Sequence, residues 1–496
     1  MIPKPGTRRC ANTADRTSNY FQGISKSTCP LSSVAFAFAI GISDASLPFS
    51  AEAVAFPAFE CYINTLPFHR LSRTLDRKAI PLKTSRISEG ILEHALSALT
   101  AWENDGVSLD DCLDDLRAGD FPAKAAVASL LFEYFRHKHF LDSLLVKHAR
   151  KGKVNQQMRL LVSLAAAQVF FQTGLPWQSA VNIAVDTAKR LRGPGGGSFV
   201  NAILRAYVRD ESVDRVHIPA DCPPLLKERW TAAYGADQAA SILGQFASNP
   251  PISVRLRPGA DLSMLAAYEP EPFEPDFDTG DFRFFSLKSS VGLFDNPLLQ
   301  DGSVYVQDPA TCMGLGLLES KPRGAILDLC AAPGGKTIML SELAASGAKI
   351  TAADRSKKRV STMNVNLRRA GVKAKTLVAD AREIPLPPQS FDFILADVPC
   401  SNTGVIRRRP DVPWRFSKTR LGELAVLQHA ILKSAVALLR PGGTLLYSTC
   451  SLEFEENMGR VQLLLSEYPE LSLVREMTLF PTDTHDGAFS AVLKLA

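Results

Sequence analysis

Between Ile326 and Thr337 the chain reads Ile-Leu-Asp-Leu-Cys-Ala-Ala-Pro-Gly-Gly-Lys-Thr, an apolar strand running into a glycine turn and then a helix. Glycine at such a turn permits positive φ and lets a ligand approach the backbone closely. The same order repeats downstream. Ala325 to Cys330, Lys349 to Ala353, Lys375 to Ala379, Phe393 to Ala396 and Thr444 to Ser448 are candidate strands separated by helical patterns. That alternation predicts an α/β, Rossmann-like domain with a mostly parallel sheet over residues 301–496, with Ala488 to Leu495 as a last strand at the sheet edge. Ligands of such sheets sit beyond the carboxyl ends of the strands.

Three nucleotide chemistries compete for the glycine loop. A Walker A loop needs Gly five positions before the Gly of Gly-Lys-Thr, and Cys330 stands there. The dinucleotide fingerprint needs Gly-x-Gly-x-x-Gly, and only Gly334 and Gly335 are present. Asp354 ends the next candidate strand, where a carboxylate accepts hydrogen bonds from ribose hydroxyls; Asp380 follows the third strand and Asp397 ends the fourth. Acids at consecutive strand ends suit a ribosylated, cationic cofactor such as S-adenosylmethionine. The candidate cofactor residues are Cys330, Ala331, Ala332, Pro333, Gly334, Gly335, Lys336, Asp354, Asp380 and Asp397. A lone Asp at any of these loops would otherwise read as a turn or helix cap.

Upstream, residues 86–212 carry apolar residues at helical spacing, as in Ile91, Leu92, Ala95, Leu96 and Leu99, then Leu130, Leu131, Tyr134 and Phe135. An all-helical domain is expected. Its charged stretches, Lys147, Arg150, Lys151, Lys153 and Arg159, then Lys189, Arg190 and Arg192 before a Gly-Pro-Gly-Gly-Gly turn at 193–197, suit solvated helix faces or phosphate contacts. Residues 213–300 are rich in proline, with short strand-like pieces such as Ile252 to Leu256, and read as a small α+β connector.

Residues 1–85 form an extension of undefined role. Up to residue 50 it holds only Asp15 and Asp44 as acids among many Ser and Thr, a transit-peptide-like composition that a disordered tail also shares. Its apolar run Val34 to Ile42 is shorter than the about 20 residues a bilayer requires, and no transmembrane helix is expected. Hydrophobic residues at 46% and charged residues at 22% exclude a disordered or membrane-dominated chain. The net charge of +5 is too small to identify a nucleic-acid binder by itself. Nine cysteines without a Cys-x-x-Cys pair match neither a disulfide framework nor a zinc site, and suggest reduced thiols in a cytoplasmic compartment, or in an organelle if the extension is a transit peptide.

Two of those cysteines sit at strand-to-loop junctions on the cofactor side: Cys400 in Asp397-Val-Pro-Cys-Ser-Asn-Thr-Gly, and Cys450 in Tyr447-Ser-Thr-Cys-Ser with Glu456-Asn457 following. With the Cys-Ala-Ala-Pro-Gly-Gly-Lys loop and the Arg-Arg-x-Pro-Asp-x-x-Trp-Arg continuation, these segments resemble the RNA cytosine-5 methyltransferases. Phe199 to Arg205 resembles a NusB-type RNA-binding helical domain, which makes the chain most similar to the RsmB-like branch acting on 16S ribosomal RNA. The resemblance spans about residues 87–496. One departure is Arg257, in Pro251 to Arg257, where the family usually carries Asn.

The resemblance implies a covalent mechanism. Carbon 5 of cytosine is a poor nucleophile, and a thiolate added at carbon 6 turns the ring into an enamine that can attack a methyl donor. In the family the cysteine after Ser-Thr is the nucleophile, here Cys450, and the cysteine after proline assists release, here Cys400. Asp397 is the candidate acid at ring N3, with Lys336 positioning it. A thiol of ordinary pKa near 8.5 needs positive potential to ionise at neutral pH, which Lys336 and the Arg407 to Arg409 run can supply. Arg407, Arg408, Arg409 and Arg415 are expected to contact RNA phosphates. The target base must be unpaired or extruded. A monomer with RNA as its partner, no metal and no membrane is expected. Transfer- or messenger-RNA methylation, a cytosine-5 DNA methyltransferase and a non-catalytic ribosome-assembly factor are the alternatives.

Overall fold

The structure is a computed structural model that describes residues 82–496 except 119–120, 150–153, 173, 215–217 and 275. The transit-peptide-like extension, with its apolar run, and Arg150, Lys151 and Lys153 lie outside the described residues.

Among the described residues, six helices build the first domain: α1 (Leu82–Asp105), α2 (Leu109–Ala118), α3 (Lys124–Arg136), α4 (Lys138–His148), α5 (Gln156–Phe171) and α6 (Trp177–Arg209). The residues predicted from periodicity form its core: Leu92, Ala95, Leu99, Leu130, Leu131, Tyr134 and Phe135 are all buried. The turn expected at 193–197 is narrower. Helix α6 breaks only at Arg192 and Gly193, the latter at φ 71°, and Pro194 restarts it. Gly196 and Gly197 are helical and serve close packing instead, since a Cβ would meet the Ala188 carbonyl oxygen at 2.9 Å and Lys189 Cγ at 2.6 Å respectively.

The connector holds α7 (Pro224–Tyr234), α8 (Ala236–Ala247) and an antiparallel sheet of β1 (Ile252–Leu256), β2 (Pro270–Pro272), β3 (Arg283–Leu287) and β4 (Val304–Val306), in the order β2-β3-β1-β4. The sheet therefore runs past residue 300. Arg257, the departure from the family pattern, ties this sheet to the domain that follows: its Nε lies 2.5 Å from Glu342 Oε1 and its Nη1 donates to the Ala370 carbonyl at 2.8 Å. Buried Arg255 holds the other oxygen of Glu342 at 2.5 Å.

The second sheet contains β5 (Ala325–Leu329), β6 (Lys349–Asp354), β7 (Ala374–Val378), β8 (Phe391–Asp397), β9 (Leu439–Thr449), β10 (Leu471–Leu479) and β11 (Ala488–Leu495). Its order is β10-β11-β9-β8-β5-β6-β7, with β9 to β7 parallel and the β10–β11 and β11–β9 pairs antiparallel. Ala488–Leu495 is thus an inner strand, and β10 is the edge. Alternate residues face different cores: Ile394 and Ala396 join one cluster, Phe393 and Leu395 the other. Burial on both faces explains the unbroken apolar runs. Strand order reverses between β5 and β8, which opens the crevice that holds the site. Helix Lys418–Leu438 is long and apolar enough to cross a membrane by length and composition, but it packs Ile431, Leu432 and Ala435 onto the sheet.

Candidate active site

Strand β5 is followed by Cys330, which adopts φ 59°, and the loop then turns through Gly334 at φ 102°. A Cβ at Gly334 would also meet Met363 Cγ at 3.1 Å, so both conformation and space call for glycine. The loop is braced by Ala331 N–H donating to the Ala353 carbonyl (2.9 Å) and by Asn366 Nδ2 donating to the Pro333 carbonyl (2.8 Å). Helix Gly335–Leu343 begins here, and Ile338 N–H is the first to find an intrahelical acceptor, Gly334 O at 3.0 Å. The N–H groups of Gly335, Lys336 and Thr337 have no intrahelical acceptor, as at any helix start. Asp354 is buried at the end of β6, accepting from Ser356 N–H at 2.9 Å and Ala332 N–H at 3.3 Å, with Arg359 at 3.2 Å.

These residues fit S-adenosylmethionine. The helix-start amides suit its carboxylate, Asp354 suits the ribose diol, and the acidic strand ends suit the sulfonium charge. Asp380 stands further out, gripped by Arg382 at 2.7 Å, whose hydrogen bonds lower its pKa to about 2. Burial first, then the charges of Asp397 and Asp354, push the Cys330 thiol up to about 12. Beneath the loop, Asp328 is fully buried and accepts from Thr337 Oγ1 at 2.6 Å. Burial raises its pKa to about 7 despite that bond.

On the other side of the switch point, β8 and β9 run parallel with Asp397 opposite Ser448, so the loops after them are neighbours. Cys400 Sγ and Cys450 Sγ lie 3.1 Å apart as free thiols. Cys450 Sγ is also 3.0 Å from Asn402 Oδ1. The contact with Cys450, reinforced by burial, holds the Cys400 pKa well above its ordinary value. Lys336 Nζ reaches across to Asp397 Oδ1 at 2.5 Å. Burial disfavours the ammonium, but the Asp397 carboxylate more than offsets this and Lys336 keeps its proton more firmly than usual. The sequence thus points to all four central groups, and the fold brings Cys400 to Cys450 and Lys336 to Asp397.

The expectation of phosphate contacts is corrected for Arg407 and Arg408. Arg407 and Arg408 are buried, not presented to solvent. Arg407 Nε meets Asp486 Oδ1 at 2.8 Å; Arg408 Nε meets Asp486 Oδ2 at 2.5 Å and its Nη2 meets Asp308 Oδ2 at 2.6 Å. Guanidinium groups committed to buried carboxylates are unavailable to phosphates. Arg409 is partly exposed and lies 3.0 Å from Asp110 of α2, while Arg415 lies 3.4 Å from Asp411. Arg415 also lines a small, open cleft together with Cys400, Phe416 and exposed Arg420. Sequence reading places Glu456, Ser401 and Ser451 in the two cysteine motifs but gives them no role; in the structure they join the two loops. The doubled Cys-Ser pair at 400–401 and 450–451 was the available signal.

A reversing parallel sheet with a glycine loop, a buried acid after its second strand and helix-start amides defines an S-adenosylmethionine-dependent methyltransferase. Family models match residues 315–491 (16S rRNA methyltransferase RsmB/F) and residues 91–209 (NusB family). Ribosomal RNA small subunit methyltransferase B of Sodalis glossinidius is 33% identical over 365 residues, covering 71% of this chain and 83% of that protein. The probable enzyme of the same description in Bacillus subtilis is 29% identical over 363 residues, covering 70% and 81%. The solved structure of PH0851 shares the fold, with TM-score 0.68 at 22% identity over 84% of this chain and 100% of that one. The chain belongs to the family of ribosomal RNA small subunit methyltransferase B, and its cofactor is S-adenosylmethionine.

Proposed function

We propose that this protein methylates carbon 5 of a cytosine in 16S ribosomal RNA through a transient bond between Cys450 and carbon 6. The observation that carries this reading is the pair of thiols 3.1 Å apart at the carboxyl ends of adjacent parallel strands. One thiol is needed to add and a second group to assist its departure. The substrate in the matching family's description, 16S rRNA, and the small-subunit ribosomal RNA in the relatives' names support that RNA.

Asp397, a carboxylate beside the Lys336 ammonium, takes the Cys450 proton and passes it to ring N3 as the sulfur adds to carbon 6, and takes it back from N3 when the carbon–sulfur bond breaks. Lys336, 2.5 Å away, orients that carboxylate. S-adenosylmethionine, when bound, supplies an electrophilic methyl group. Carbon 5 becomes saturated, its hydrogen leaves as a proton to water, and the carbon–sulfur bond breaks. Cys400, whose elevated pKa keeps its S–H, donates a hydrogen bond to the departing Cys450 sulfur. The cleft beside Cys400, with Arg415 and Arg420 on its wall, is the inferred path of the RNA backbone.

The test is a denaturing gel of Cys400→Ala incubated with S-adenosylmethionine and unmethylated 16S RNA, beside Cys400→Ala/Cys450→Ala. The single variant is expected to accumulate a protein–RNA adduct that the double variant lacks, and sequencing the trapped RNA identifies the cytosine. No adduct despite demonstrated cofactor and RNA binding overturns the mechanism.

A further inference from the structure

Each cysteine of the pair is followed by a serine, and both serines turn away from the thiols toward one carboxylate. Glu456 is fully buried. Its Oε1 accepts from the Ser401 backbone N–H at 2.8 Å and from Gln428 Nε2 at 2.9 Å. Its Oε2 accepts from Ser451 Oγ at 2.5 Å and from Ser401 Oγ. All four donors are neutral. Two come from the Cys400 loop, one from the Cys450 loop and one from helix Lys418–Leu438. A buried charge with neutral donors is costly unless its lone pairs are satisfied, and here each oxygen receives two hydrogen bonds.

Further bonds run between the loops around it. Ser401 Oγ and Ser451 Oγ are 3.1 Å apart, Leu452 N–H donates to Thr403 Oγ1 at 2.9 Å, and Gly404 N–H donates to the Cys450 carbonyl at 2.9 Å. Tyr447, on β9 itself, donates its hydroxyl to the Glu456 carbonyl at 2.5 Å and so fixes the backbone from which the carboxylate projects. Glu456 touches neither thiol directly. It acts on the residues immediately after each one.

We propose that Glu456 is a positioning residue that buckles the Cys400 and Cys450 loops together and sets the sulfur-to-sulfur distance required for release of the methylated base. This deepens the reading that the two thiols work as a pair. The hydrogen-bond pattern predicts that charge is dispensable. In Glu456→Gln the remaining carbonyl oxygen can still accept from the two N–H groups, while the new NH₂ donates to the two hydroxyls, which rotate to accept. Glu456→Ala leaves the four donors without their acceptor and frees the loops.

The test measures thiol proximity without RNA or cofactor. The full-length protein is oxidised with diamide, which takes up the two thiol hydrogens as the sulfur–sulfur bond forms, and the Cys400–Cys450 cross-linked peptide is followed by mass spectrometry. Relative to wild type, Glu456→Ala is expected to close this disulfide at least tenfold more slowly, and Glu456→Gln within about threefold of wild type. Single-turnover methylation of unmethylated 16S RNA should fall with the same ranking, at unchanged S-adenosylmethionine affinity. Cross-linking of folded Glu456→Ala at the wild-type rate overturns the proposal, as does a Gln variant as slow as Ala. Should Glu456→Ala not fold, Ser401→Ala/Ser451→Ala decides: it keeps the carboxylate but removes both hydroxyl links, and a wild-type closing rate there is equally fatal. Failure of adduct trapping in Cys400→Ala with these rates as expected would instead count against the methylation mechanism alone.

Discussion

Arg408→Met separates a structural arginine from an RNA-binding one. Methionine keeps most of the side-chain volume, so the change is chiefly the removal of a buried charge. Asp308 loses its partner at 2.6 Å and keeps the Ala310 and Asp486 amides, with Arg407 Nη2 at 4.0 Å, while Asp486 keeps Arg407 Nε at 2.8 Å. Two buried carboxylates then share one guanidinium. Breaking a buried pair from one side costs about 3–5 kcal/mol, and at ~2–4 °C per kcal/mol the melting temperature of the catalytic domain should fall by about 6–20 °C. The deficit also depends on pH. Burial raises the pKa of Asp486, but Arg408 and Arg407 more than reverse this, so its stabilising contribution is present above about pH 4 and lost as pH falls through its lowered folded value. Asp308 is raised, first by burial and then by Asp486, so it favours folding on the acid side. Without Arg408 a proton relieves the surplus negative charge, and the deficit should be largest at pH 7–8 and shrink toward pH 4. Scanning calorimetry across pH measures this. Filter binding to 16S RNA across salt concentrations supplies the opposing test. A phosphate contact would lower the logarithmic salt slope by about 1 and leave the melting temperature in place; that outcome refutes the buried-quartet reasoning.

Asp328, raised to about 7 by burial, should make folding stability decline from about pH 4 to pH 7, because the native state holds a proton that the unfolded chain releases; the total is on the order of 4 kcal/mol. Urea midpoints of wild type and Asp328→Asn across that range check it, and parallel profiles would contradict it. Gly404→Ala places a Cβ 2.5 Å from the Gly487 carbonyl oxygen and 3.0 Å from that of Cys450, so methyl transfer should drop at least tenfold in a single-turnover assay while cofactor affinity holds. Arg257→Asn restores the family's usual residue but gives up the Glu342 pair and the bond to the Ala370 carbonyl, and thermal denaturation should register a loss of about 1–3 kcal/mol.

The legible parts of the sequence were those whose cause is local. A strand buried on both faces reads as an unbroken apolar run whatever its neighbours are, so β5, β6, β8 and β9 stood out. Strand β10 did not, because Arg475 and Glu476 are exposed on it and its edge position follows only from pairing with β11. The cofactor loop and both cysteines were legible because glycine conformation and thiol chemistry are properties of single residues. The arginine run was not. Charges in sequence look alike whether they face water, phosphate or a buried acid, and the acids that claim Arg408 lie 78 and 100 residues away. The role of Glu456 was hidden in the same way: Ser451 is five residues from it, but Ser401 is 55 away.

The segment from Asp397 to Phe416 therefore belongs to two structures at once. Its first half carries Asp397 and Cys400, and its second half is the seam between domains. Asp411 accepts from Trp102 Nε1 and Leu109 N–H of the helical domain, each at 3.2 Å, and Trp414 Nε1 donates to the Phe135 carbonyl at 2.8 Å. Ile406 and Val412 pack with Trp230 and Ile242 of α7 and α8, and Glu453, three residues after Cys450, is held by Arg229 at 2.6 Å and Trp230 at 3.0 Å. The arginines between those halves are paired inward because a seam of this kind must neutralise its own charge. A reactive thiol loop anchored at both ends in this way cannot move independently of the domain proposed to hold the RNA. The placement of Cys400 and Cys450 thus rests on contacts with all three domains, although both cysteines lie in one.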